Sequence, residues 1–62
     1  MLTLNITHLN GEHETIKFFN EVSVVVGKNH TRVLEFTETG ECIEHDYNYE
    51  LGSIVTVRNW GV

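Results

Sequence analysis

Proline is absent from this 62-residue chain, cysteine occurs once, and Lys plus Arg number 4 against 9 acidic residues. Without proline every residue keeps its backbone N–H, so no segment is barred from a β-ladder. The single cysteine, Cys42, excludes an internal disulfide and suits a reducing interior better than a secreted setting. No apolar run nears the roughly 20 residues needed to span a bilayer, so no membrane role is expected. The opening "MLTLNITHLN" has neither a basic n-region nor a continuous apolar h-region, and no signal peptide is expected. A sustained 3.6-residue apolar period is also missing, which excludes helices longer than a turn or two. What remains is one small soluble domain over residues 1–62, expected in the cytoplasm. A chain this short buries only about 60% of its extended surface, leaving a margin of a few kcal/mol. A homodimer would be a natural supplement to so thin a core.

The positive signal is β from end to end. Val, Ile, Thr, Phe and Tyr are frequent, as strands prefer. Leu2, Leu4 and Ile6 alternate with Thr3, Asn5 and Thr7, and Ile16 and Phe18 continue that phase after the turn "LNGE". Val22 to Val26 stops at Gly27, and "GKNH" reads as the next turn. "TRVLEFT", the turn "ETGE", "CIEHDY", a looser "NYELG" and "SIVTVRN" complete the chain. The fold class is therefore all-β, with about six short antiparallel strands forming a small barrel or a strongly bent meander sheet.

The first turn fixes a register. The apolar positions on both flanking strands are even, so paired residue numbers must sum to an even number to share a face. A three-residue loop, Leu9-Asn10-Gly11, meets this condition, with Gly11 as the left-handed residue of a G1 bulge. Leu4 then faces Ile16, and Leu2 faces Phe18. The "ETGE" turn leaves two registers open, one pairing Phe36 with Cys42 and the other pairing Phe36 with Ile43. The segments following both turns also align at a shift of 29, with Gly11 on Gly40, Phe18 on Tyr47 and Val22 on Leu51, which suggests a duplicated hairpin-plus-strand unit.

"NGE" after an alternating first strand, then "VSV", "LEFTETGE" and a closing "IVTV" cover nearly the whole chain. In this pattern the sequence resembles small uncharacterised β-meander proteins of Gram-positive bacteria and their phages. The resemblance implies a phage or mobile-element setting and carries over no catalytic or ligand residue.

Chemistry offers little. Cys42 and His45 could be read as a thiol and its base, but residues three apart on a strand point to opposite faces. Cys42 reads better as a small apolar filler. No nucleophile elbow, phosphate-binding glycine loop or nucleotide fingerprint is present, so no enzymatic activity and no cofactor are expected. Four histidines suggest metal, with His8 and His13 flanking the first turn, yet no pair has structural-zinc spacing, and no metal site is assigned. The sequons at Asn5 and Asn29 have no meaning without secretion. Lys17, Lys28, Arg32 and Arg58 are too few and scattered to track a nucleic-acid backbone.

Charge is the strongest anomaly. Glu35, Glu38, Glu41, Glu44, Asp46 and Glu50 fall in one stretch with no basic residue between Arg32 and Arg58. A net charge of −5 by itself keeps a small β-protein soluble and its edges unpaired. The sharper reading is an acidic surface that docks on another protein, one that normally grips nucleic acid being the best match. Tyr47 and Tyr49 share a strand face with each other if "YNY" stays extended, and tyrosine favours interfaces. The expected partner-binding set is therefore those six acids with Tyr47 and Tyr49. Phe18 and Phe36 are expected in the core, Phe19 at an exposed contact or dimer face, and Trp60 folded over one end. The function expected is a non-enzymatic protein-binding module or small inhibitor, the alternative being self-association through edge strands.

Overall fold

A computed structural model describes residues 1–61. Six antiparallel strands are present, and no helix occurs among the described residues: β1 (Leu2–Thr7), β2 (His13–Phe18), β3 (Glu21–Val26), β4 (His30–Phe36), β5 (Cys42–Asn48) and β6 (Ile54–Asn59). They form two three-stranded sheets, ordered β2-β1-β6 and β3-β4-β5. Neither β2 and β3 nor β5 and β6 share a ladder, so the meander stays open at two seams. A closed barrel would need every neighbouring pair hydrogen-bonded through a common tilt and stagger. The sheets are not joined that way. Among the described residues no helix is long and apolar enough to cross a membrane.

The turns of the β1–β2 and β4–β5 hairpins are built alike. Gly11 N donates to His8 O at 3.0 Å and His8 N donates to Glu12 O at 2.8 Å. Gly40 N donates to Thr37 O at 3.0 Å and Thr37 N donates to Glu41 O at 2.9 Å. Gly11 and Gly40 sit at φ 89° and 86°, where a Cβ would crowd the following carbonyl. Leu4 faces Ile16 and Leu2 faces Phe18, as the turn argument requires. Of the two open registers at the second turn, the one pairing Phe36 with Cys42 is adopted.

Residues of β1 and β2 map onto β4 and β5 at a shift of 29, and the two sheets interconvert under that mapping. Each half sends its third strand into the other half's sheet: β3 joins β4, and β6 joins β1. The β5–β6 connection is longer than the Phe19–Asn20 link, so the third strands correspond at a shift of 33 instead. Val22 therefore matches Val55, and both pack against the core, whereas Leu51 is exposed in a turn.

The core draws on both sheets: Leu2, Leu4, Ile6 and Phe18 from the first, Val33 from the second, and Tyr49 from the loop after β5. It is thin. The radius of gyration is 12.1 Å, against about 10.5 Å for a compact chain of this length. Phe36, expected in the core, is instead 43% exposed. β4 is apolar in both phases, and Thr31 and Val33 face inward, which turns Arg32, Leu34 and Phe36 outward. The inward phase wins because its polar members find partners. Thr31 bonds Tyr49, and Glu35 bonds His45 and Asn20.

Truncating Leu4 to alanine should cost about 2–5 kcal/mol, most or all of the stability, whereas Phe36→Ala should cost about 1 kcal/mol or less. Urea unfolding followed by circular dichroism measures both, and equal losses would contradict the assigned face of β4.

Candidate functional site

The eight residues expected to bind a partner do not share one surface. Tyr49 is buried at 7% exposure. Its hydroxyl donates to Gly27 O at 2.7 Å, so the contact with Thr31 Oγ1 at 2.6 Å must have threonine as donor. Tyr49 N also donates to Asn29 O at 3.1 Å, which pins the loop after β5 to the β3–β4 turn. This residue braces the fold and is no contact surface. The backbone pairing of Tyr49 with Asn29 extends the register past Asn48, so Tyr47 and Tyr49 do share a face as the spacing implies, but it is the inward one that packs on the core.

Glu35 also leaves the set. It points between the sheets, where it accepts from His45 Nε2 at 3.0 Å and from Asn20 Nδ2 at 3.0 Å. The His45 hydrogen bond, then that of Asn20, hold its carboxyl below the usual carboxylate range despite its partial burial. The His45 ring is tilted against Phe18, with centroids 5.3 Å apart. Tyr47 is half-buried against the core, and burial first, then the charges of Glu14 and Glu35, raise its phenol.

Glu50 lies elsewhere. It accepts from His8 Nδ1 at 3.0 Å, while His8 Nε2 meets Glu14 at 2.5 Å. The His8 side chain is only 14% exposed, and this clasp ties the first turn to the β5–β6 loop. Hydrogen bonds to Glu14 and then Glu50 raise the His8 pKa above 6.5, and the His8 bond lowers that of Glu50 below 4.5. His13 bonds the Thr7 hydroxyl instead, so the two histidines flanking the turn do not converge. Among the described residues no group of three or more His, Cys, Asp or Glu is arranged to hold a metal ion.

What does form a surface is the outer face of the second sheet. Register places Glu21, Phe36 and Cys42 in one row, and Ser23, Leu34 and Glu44 in the next. Val25, Arg32 and Asp46 follow. Arg32 Nε reaches Glu44 at 2.7 Å and Asp46 at 3.3 Å, and His30 Nε2 reaches Asp46 at 2.8 Å. Burial pushes Asp46 upward, but the hydrogen bonds from Arg32 and His30 outweigh it and leave its pKa low. Such half-exposed pairs contribute little to stability and mainly fix side-chain geometry. Beyond Phe36 the hairpin tip carries Glu38 and Glu41, neither in an ion pair among the described residues. Cys42 is exposed beside Phe36, contrary to its reading as an apolar filler, and it faces away from His45. Sequence reasoning missed Leu34 and Phe36 as surface residues, because apolar residues in both phases of β4 hide which face is covered. No family model, curated protein or solved structure matches this chain.

Two outcomes are expected. Tyr49→Phe should destabilise the chain by about 1–3 kcal/mol, because Thr31 and Gly27 lose a buried partner; chemical denaturation measures it. The His8 clasp gives a signed pH dependence. Its histidine share is complete below pH 6.5 and fades as pH climbs through the raised value. Its Glu50 share is complete above pH 4.5 and fades as pH falls through the lowered value. The thermal midpoint should therefore be highest between those limits, and His8→Gln should flatten the decline on the alkaline side.

Proposed function

We propose that this chain is a non-enzymatic protein-binding domain that docks through the outer face of the β3-β4-β5 sheet and the tip of its β4–β5 hairpin. The observation that carries this reading is Phe36, 43% exposed beside Leu34, with Glu21 and Glu44 on the flanking strands and Glu38 and Glu41 at the adjoining hairpin tip. An apolar centre with a charged rim is the anatomy of protein interfaces, and a large aromatic is the usual anchor. The rim selects a partner with an apolar pocket bordered by Lys and Arg, since complementary charge speeds encounter and rejects other surfaces. Proteins that grip nucleic acid carry such basic borders, which supports an inhibitor role, and the resemblance to phage proteins is compatible with it. Of the acids first expected to act together, Glu38, Glu41, Glu44 and Asp46 belong to this surface, while Glu35 and Glu50 support the fold.

A second reading is self-association through an edge strand. Its support is β3, an edge with Val25 and Val26 exposed. Its contacts would be apolar and indifferent to salt, whereas charge-led docking weakens as ionic strength rises.

Affinity capture from host-cell lysate at low and high ionic strength, with light scattering on the purified chain, separates the two. A monomer should retain one salt-sensitive partner, and that partner should be lost with Phe36→Ser and with the double reversal Glu38→Lys/Glu41→Lys. Retention undiminished by both variants would overturn the docking face. A concentration-dependent, salt-insensitive dimer abolished by Val25→Lys would establish the second reading.

A further inference from the structure

The opposite side of the molecule has a different chemistry. The outward positions of the β2-β1-β6 sheet are the odd residues of β1 and β2 and the even residues of β6, and none of these nine is Asp or Glu. In a chain of net charge −5 this is the one sheet face without a carboxylate. It also holds two of the four Lys and Arg residues. Lys17 and Arg58 flank Thr3 in register, one on each neighbouring strand. Two strand spacings of about 4.8 Å put their Cα atoms about 10 Å apart, so both long side chains can bend over Thr3 to a common point. Neither is in an ion pair among the described residues.

A groove of about 270 Å³ runs between them, lined by Thr3, Asn5, Lys17, Arg58 and Trp60. Its lining is rich in hydrogen-bond donors. Thr15 Oγ1 donates to Asn5 Oδ1 at 2.9 Å, which occupies the amide oxygen and leaves the Asn5 NH₂ group to donate. The Trp60 indole N–H is buried and has no acceptor among the described residues. Trp60 is itself held at the groove by its backbone N–H, which donates to Met1 O at 2.9 Å, and by edge contact with Phe19 at 5.6 Å. Trp60 does not belong to the core cluster.

We propose that this groove is a binding site for a phosphate group, taken between Lys17 and Arg58 over Thr3 with Asn5 as a neutral donor. Two cations and several donors without a balancing acid call for an anion of more than one charge. A phosphate monoester carries about −1.5 to −2 near neutral pH and three acceptor oxygens. A monocarboxylate would leave one cation unmatched. The site is independent of the acidic docking face, which lies on the other sheet.

Trp60 is the only tryptophan, so its fluorescence reports the groove directly. The folded chain would be titrated at fixed ionic strength with inorganic phosphate, AMP and acetate. Phosphate and AMP should change the emission saturably, with half-saturation on the order of 1 mM, as suits a shallow site made of exposed charges. Acetate should produce no saturable change. Lys17→Gln and Arg58→Gln should each weaken the response about tenfold or more, while Lys28→Gln should leave it within about twofold. Circular dichroism would verify that each variant is folded. Equal strength for phosphate and AMP would assign the phosphate alone as ligand, and tighter AMP would add stacking on Trp60. A response shared by acetate, or one unchanged in both folded groove variants, would overturn the proposal.

Discussion

Leu4, Ile6 and Val33 are fully buried, and all three lie on β1 or β4, the two strands with a hydrogen-bonded neighbour on each side. Every other strand is an edge. The fold therefore depends on apolar contact between the inward faces of two central strands, with each hairpin and each exchanged third strand packed around that contact. A core of six buried hydrophobic residues cannot also cover the rims of both sheets, so the outer faces and the strand edges are left to take other roles.

Polar groups near the core are handled by pairing. Tyr49, Thr31 and the Gly27 carbonyl satisfy one another at one place, and Glu35, His45 and Asn20 do so at another. His8 with Glu14 and Glu50 closes a third place, between the first turn and the last loop. A lone buried hydroxyl or carboxylate would cost more than such a small core could offset, which is why Tyr49, Thr31 and Glu35 are each met by a partner distant in sequence. The same pairing takes Glu35 and Tyr49 off the surface on which their sequence neighbourhood had placed them and commits the half-exposed Glu50 to the His8 clasp. The acidic stretch is thus divided between structural and solvent-facing work.

The two outer faces end up with opposite chemistry. On the β3-β4-β5 sheet, acids surround an apolar centre; on the β2-β1-β6 sheet, Lys17 and Arg58 stand in a field of threonine and asparagine. Strand alternation separates them from the core by a single residue each. Charge of one sign on one face and of the other sign on the opposite face gives the molecule a direction in which it can meet partners.

The strands and the β1–β2 and β4–β5 turns follow from the sequence by itself, because period-two alternation, Gly11 and Gly40 are local signals that act within a few residues. The even-sum rule set Leu4 against Ile16 for the same reason, and the shift of 29 was visible because the two turns are chemically alike. The inward face of β4 was not legible. "TRVLEF" is apolar in both phases, and the choice rests on Tyr49, His45 and Asn20, which are 10 to 18 residues away from their partners. Which third strand joins which sheet, and the placing of Lys17 and Arg58 on either side of β1, were likewise decided only in the tertiary structure. Residues remote along the chain become neighbours through ladders whose pairing no local pattern encodes.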